Sequence, residues 1–301
     1  MKDNNWILDE VPEELRNRFH DEVAALPSPD SLSTNDEFNA AAVQAMITLC
    51  NVGKLAISVS PSSQDGFRKR TAPIVGLAVR ALKFYEAFIR ETSERRGDIA
   101  WVYIRPVMEA YVNCVYLMQH GASSSRSFIQ SSLKPEKEML TRITQNSNGR
   151  ALMPIERRMR RSIQNHLRIA GMSKKNLASR TQWRVDGKNI RDLMKAIGLD
   201  SYYAFLYGTS SHFIHGSWID LSMHHLTRVG LSYFPRFRDT EPDPRMPSMI
   251  SSLVGELILR YLRRIRSSRT RMLRPIASKL VRFFRDYDAA IEVFIQNQEP
   301  V

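Results

Sequence analysis

The chain has 301 residues, 43% of them hydrophobic and 25% charged. These are the proportions of a soluble globular protein with ample material for a core. Lysine and arginine outnumber aspartate and glutamate by 44 to 31, giving a formal net charge of +13 and a pI near 10, so nucleic acid or another polyanion heads the list of expected partners. The two cysteines, Cys50 and Cys114, are too few and too far apart for a disulfide framework or a cysteine-based zinc site.

The first residues are acidic and polar, with no signal or transit pattern, and a cytoplasmic location is expected. Residues 12–26 predict a short helix, ended by the turn-rich PSPDSLS. Asn35 or Asp36 is the expected cap of a second helix, whose apolar residues Val43, Ile47 and Cys50 recur at helical spacing towards Ile57. SPSSQDG at 60–66 reads as a loop. A long helix is expected over 67–93, then an RRGD turn with Asp98 as N-cap. Residues 99–118, IAWVYIRPVMEAYVNCVYLM, are long enough to span a bilayer. Arg105 and Glu109 in the interior each cost roughly 3 kcal/mol on insertion scales, so the segment predicts a buried helix of a soluble protein.

GASSSRS at 121–127 is expected to break that helix. Further helices are predicted from Pro135, over PIERRMRRSIQNHLRIAG with Gly171 as its stop, over NIRDLMKAIGL, and over 202–216, closed by Gly216. A polar loop is expected at 173–187. Residues 228–247 carry Pro235, Pro242, Pro244 and Pro247 and predict an irregular excursion, with a short strand near 229–234. Two helices, 248–267 and 273–298, finish the chain. The expected fold is all-α, a helical bundle with antiparallel neighbours. It divides into an N-terminal segment 1–66, a core 67–227, and the excursion with basic helices over 228–301, packed on that core.

Arg105, Glu109 and Asn113 lie at i, i+4 and i+8 within the most apolar helix, on one stripe. A buried charge must be paired or face a wet cavity. Arg105 is the candidate anion holder and Glu109 the candidate base or orienting group; the alternative is an ion pair that only fixes helix register. Residues 202–226 hold four of the seven histidines. His212 and His215, three apart, share a helix face beside Ser211 and suit acid–base work. Asp220 and His224, four apart, suit a metal, and a metal-dependent hydrolase using His212, His215, Asp220 or His224 is a third reading, but no HExxH motif is present and the expectation is no cofactor. Arg161 and His166 form an Arg-x4-His pattern of the kind HEPN nucleases use.

From Arg260 to Arg285 the chain carries ten basic residues before its first acid, Asp286, among them Arg263, Arg264, Arg266, Arg269 and Arg271. A second basic run, including Arg157 and Arg161, lies on the helix after Pro154. Arginine at this density suits phosphate. The alternative is a solvated or oligomer-facing surface, and a homo-oligomer is compatible with it. Tyr261, Phe283 and Phe284 are interleaved with the tail's arginines, as base-stacking groups or as core.

The blocks RPVMEAYVNCVYL, SSLKPEKEMLTRI, MPIERRMRRSI and SSHFIHGSWIDLSMHHL occur in order between Thr71 and Leu226. Together they resemble a family of bacterial all-helical proteins labelled only as a domain of unknown function. The family's Arg-x3-Glu helix corresponds to Arg105 and Glu109. Its Ser-His-x2-His-Gly block corresponds to Ser211, His212, His215 and Gly216. A looser similarity to HEPN-type helical domains implies a metal-independent ribonuclease of a toxin or antiviral defence system. The competing expectation is a non-catalytic protein that binds nucleic acid or protein, with Arg105, Glu109 and the histidines as a structural network.

Overall fold

The computed structural model describes residues 11–59, 67–173, 184–265 and 268–298, with only the backbone described for Phe205, Ile265, Ser268 and Arg269. The chain is predominantly α-helical, with one two-stranded sheet among the described residues. Helix α1 spans Glu13–Ala24 and α2 spans Asn35–Ser58. The cap of α2 is Thr34, not Asn35 or Asp36. Its hydroxyl accepts from the Glu37 N–H at 3.2 Å, and the Glu37 carboxylate accepts from the Thr34 N–H. The Thr-x-x-Glu spacing of a capping box carried that information.

Helix α3, Ala72–Ser93, starts five residues later than expected. Helix α4 runs Gly97–Ser132, and Asp98 lies inside its first turn instead of capping it. The GASSSRS segment does not end α4. Only Gly121 leaves helical backbone geometry, with φ of +78°, and the serines continue the helix beyond that kink. The kink is clamped from outside. The Asp186 carboxylate accepts from the Tyr116 hydroxyl at 3.0 Å and the Ser124 hydroxyl at 2.5 Å, while the Asp186 N–H donates to Ser127 Oγ.

Helices α5 (Lys134–Asn146), α6 (Pro154–Ala170) and α7 (Ile190–Ala196) follow. A π-helical turn over Tyr203–Gly208 leads into α8, Thr209–His215, which Gly216 closes in the left-handed conformation. Short α9 (Trp218–Asp220) and a second π turn (Leu221–His225) feed a hairpin of β1 (Leu226–Val229) and β2 (Ser232–Pro235). The strands are antiparallel, with Thr227 opposite Phe234 and Arg228 opposite Tyr233. The expected single strand is thus two, turning at Leu231 beside Gly230. Helices α10 (Arg245–Ile265), α11 (Ser268–Arg271) and α12 (Leu273–Gln298) complete the described fold.

One core joins α2, α3, α4, α10 and α12, so the N-terminal, central and C-terminal segments share it. Phe38, Met46, Tyr85, Ile104, Tyr261, Phe284 and Tyr287 are among its fully buried members. The tail aromatics Tyr261, Phe283 and Phe284 are therefore core and face no ligand. Helices α5 and α6 pack through a small separate cluster of Leu133, Leu140, Ile163 and Leu167. Among the described residues only α2 is long and apolar enough to cross a membrane, and most of it is buried in this core. The 99–118 segment, in α4, lies largely inside the core as expected.

After the hairpin, residues 240–242 strap across the start of α4. The Gly97 N–H donates to Thr240 O at 2.7 Å. A β-carbon at Gly97 would sit 2.7 Å from Glu241 O and from Pro242 Cα, both backbone atoms that cannot swing aside. Gly97→Ala is expected to cost about 1–3 kcal/mol by overpacking. It should also raise amide exchange at the strap before it does so in α10. Urea melts and hydrogen exchange check both effects.

Candidate functional site

Burial of α4 forces Arg105 to find partners, and α8 with its preceding π turn supplies them. The Arg105 side chain is 20% exposed. Its Nε donates to Glu109 Oε1 at 3.0 Å, one turn along the same helix. One terminal nitrogen donates to Ser211 Oγ at 3.0 Å and stands 3.5 Å from His215 Nε2. The other donates to the Tyr207 hydroxyl. The guanidinium carbon also lies 4.2 Å from the centre of the Tyr207 ring. Ser211 Oγ in turn donates to Tyr207 O at 2.7 Å. Asn113, the third member of the α4 stripe, turns inward along its own helix and donates to Glu109 O.

Arg105, Glu109, Ser211 and His215 therefore converge, from positions about a hundred residues apart. His212 does not join them. Its Nδ1 lies 3.0 Å from Ser217 Oγ, so it faces the turn that closes α8. Three residues along a helix is roughly 300° of rotation, and a neighbour at one edge of the face is enough to separate the pair. Tyr207 is the member that the sequence reading missed. The signal was present: Tyr203, Tyr207, Ser211 and His215 recur every four residues, a single helical stripe. Partial burial and the nearby Glu109 carboxylate push the Tyr207 hydroxyl pKa above its ordinary value, so it keeps its proton at neutral pH.

One turn before Arg105 on α4, Trp101 stacks face to face with Phe213, their ring centres 4.7 Å apart. That contact seats α8 on α4. Glu109 is 39% exposed and His215 is exposed, so the cluster opens to solvent on one side. It has a fixed cation, an imidazole, a hydroxyl and a carboxylate within one guanidinium's reach.

Asp220, His224 and His225 form a second group below the hairpin. Asp220 and His224 are buried, and His225 Nε2 stands 3.7 Å from Asp220. His224 Nδ1 lies 3.0 Å from Thr240 Oγ1, tying this group to the strap. Among the described residues no three His, Cys, Asp or Glu side chains gather to hold a metal.

The basic residues divide. Arg157, Arg158, Arg160, Arg161 and Arg168 are all exposed on α6. The helix's one acid, Glu156, is buried and committed to Arg150 at 2.6 Å and to the Met153 N–H, which hold its carboxyl down at about 2. His166 of the Arg-x4-His pattern lies 3.6 Å from Glu136 of α5. Five residues along a helix turns about 140°, so Arg161 points elsewhere. In the tail, Arg263, Arg264 and Arg271 are exposed, with Arg263 3.8 Å from Glu256. Arg274 reaches back to cap Leu262 O. Arg266 and the Arg269 side chain lie outside the described residues.

Residues 71–230 match a family of unknown function, DUF5677. The chain belongs to that family. The match covers α3 through the first hairpin strand and so takes in every residue of the Arg105 cluster. It supports the domain-of-unknown-function resemblance and lends nothing to the HEPN analogy. No curated protein and no solved structure matches the chain.

Burial holds the His224 pKa below its ordinary value. A histidine so lowered stabilises the fold fully above about pH 6.5, and that contribution is lost as pH falls through the lowered folded value. Thermal melts from pH 8 to 5 should show wild type losing stability over the acid half of that range. His224→Gln should start lower and stay flatter. Parallel profiles for the two proteins would show that His224 is not the group responsible.

Proposed function

We propose that the protein binds RNA through its exposed arginine face and cleaves it at the Arg105 cluster without a metal. The observation that carries this reading is the convergence of Arg105 with His215 on a partly open surface. Metal-free RNA cleavage needs a cation against the phosphate's non-bridging oxygens and a base near the 2′-hydroxyl. His215 takes the 2′-hydroxyl proton as that oxygen attacks phosphorus. The bond to the 5′ oxygen breaks, the leaving group takes a proton from solvent, and a cyclic phosphate remains. Glu109 and Ser211 hold the guanidinium plane, and the five arginines of α6 draw the polyanion in.

A second reading also has an observation behind it. Each nitrogen of Arg105 already has a protein partner. In that reading the cluster only locks α8 to α4, and the protein binds nucleic acid or a protein partner without cleaving anything.

The two readings part on one experiment. A fluorescently quenched RNA oligonucleotide is incubated with wild type, His215→Ala and His212→Ala in EDTA. The nuclease reading expects cleavage by wild type, a loss of roughly 10²-fold or more in His215→Ala, and near-wild-type rates in His212→Ala. No cleavage by wild type, with or without divalent metal, sinks it. Arg105→Lys, with a single point charge in place of the fork, should lose about 1.5–3 kcal/mol of stability in either reading.

RNA binding is tested separately. Replacing Arg157, Arg158 and Arg161 with Gln should flatten the plot of log affinity against log salt by about 0.7 per lost phosphate contact on single strands. An unchanged slope would remove α6 from the binding surface.

A further inference from the structure

The hairpin after the second π turn is built against the usual economy of a small sheet. Strand β1 is exposed at Thr227, Arg228 and Val229, and every residue of β2 is exposed. Two-stranded sheets are stable in water only when one face packs on something. Here the face carrying Val229 and Phe234 stands clear, while Trp218 reaches Tyr233 on the other. Leu231, at the turn, is 93% exposed, and Phe237, just past β2, is 95% exposed. Phe234 and Val229 project from one face. On the opposite face, exposed Trp218 packs edge-on against Tyr233, with ring centres 5.3 Å apart.

The charges within the hairpin and at Phe237 are basic, with exposed Asp239 the first acid after them. Arg228, Arg236 and Arg238 lie within the same thirteen-residue stretch, 226–238, which contains no acid. Arg228 Nε donates to Gly230 O, which holds its guanidinium at the turn beside Leu231. Arg236 donates to Met223 O and so sits at the base. Exposed apolar groups at the two ends of the ribbon, each with an arginine beside it, and an aromatic pair on its flank, are the chemistry of the bilayer interface. The open face carries Val229 and Phe234, with Leu231 and Phe237 at its two ends and arginines beside both ends, which matches an anionic headgroup layer over an acyl boundary.

We infer that the 226–238 hairpin docks the protein on anionic phospholipid bilayers, with Leu231 and Phe237 entering the acyl boundary and Arg228, Arg236 and Arg238 at the phosphate level. This is peripheral attachment, with no spanning helix involved, and it stands apart from the Arg105 reading. The hairpin's apolar groups, and not the net charge alone, supply the hold.

The test is cosedimentation with large vesicles, neutral phosphatidylcholine against phosphatidylcholine with about a third phosphatidylglycerol, at about 0.15 M salt where surface attraction is largely screened. The proteins are wild type and the double variant Leu231→Ser, Phe237→Ser, which keeps every arginine. Wild type should bind the anionic vesicles and bind the neutral ones several-fold less. The double variant should bind the anionic vesicles at least tenfold less, with unchanged circular dichroism and an unchanged melt. Both residues are almost fully exposed, so the variant has no packing to lose. Equal anionic-vesicle binding by both proteins would assign the attraction to charge on other surfaces and overturn the inference. So would a wild-type dimer, by light scattering, that becomes a monomer in the variant, since the hairpin would then meet a second copy. A parallel tenfold loss of RNA affinity in the variant would overturn it too, by assigning the hairpin to the nucleic-acid surface.

Discussion

Everything around the candidate site depends on one cation that cannot be left alone. Arg105 sits about two turns into α4, between Ile104 and Val107, which are fully buried. Withdrawing a guanidinium from water without partners costs several kcal/mol. Glu109 satisfies only one edge of the fork. The remaining donors must be met from outside the helix, and Tyr207, Ser211 and His215 meet them. A π turn over Tyr203–Gly208 widens the helix just ahead of this contact, a distortion of the kind found where side chains must be re-aimed. The Trp101–Phe213 stack then fixes the approach from the apolar side. The same contact that relieves a buried charge also assembles a cation, an imidazole and a hydroxyl at an opening to solvent.

The strap over residues 240–242 plays the complementary part. It crosses the first turn of α4 through a close backbone contact that only glycine at position 97 permits. It also holds buried His224 through Thr240. The hairpin between the second π turn and the strap is anchored at both ends while its Val229–Phe234 face stays uncovered. Its apolar exposure is thus built into a fixed scaffold and is not the fraying of a loose end.

The family match covers the middle of the chain, yet the core draws equally on α2 before it and on α10 and α12 after it. The matched region contains the Arg105 cluster, the arginine-lined α6 and the first strand of the hairpin. The flanking helices supply the packing that keeps α4 buried, and with it the constraint on Arg105. Their many arginines serve more than one purpose: Arg274 caps a helix end, Arg260 pairs with Glu256, and only part of the tail's charge faces outward unpaired.

Helix by helix, much was legible in the sequence. Apolar spacing located the long helices, Gly171 and Gly216 marked two of their ends, and the Arg105–Glu109 pair announced itself as charge inside an apolar run. These are local properties, fixed by 3.6-residue periodicity and by the conformational freedom of glycine. The capping role of Thr34 and the stripe of Tyr203, Tyr207, Ser211 and His215 were written there too, in spacings that are easy to pass over. Other features had no local signature. Whether GASSSRS ends a helix or bends one depends on Asp186, sixty residues away, accepting from Tyr116 and Ser124. Which of two histidines meets Arg105 depends on how α8 rotates against α4, and that is set by Trp101 stacking on Phe213. Whether the tail aromatics meet a ligand or a core depends on α12 lying against α2 and α10. Sequence determined the helices and the charge that had to be satisfied; tertiary packing decided the partners, because a hydrogen bond across a hundred residues is a property of how two helices meet and of neither helix alone.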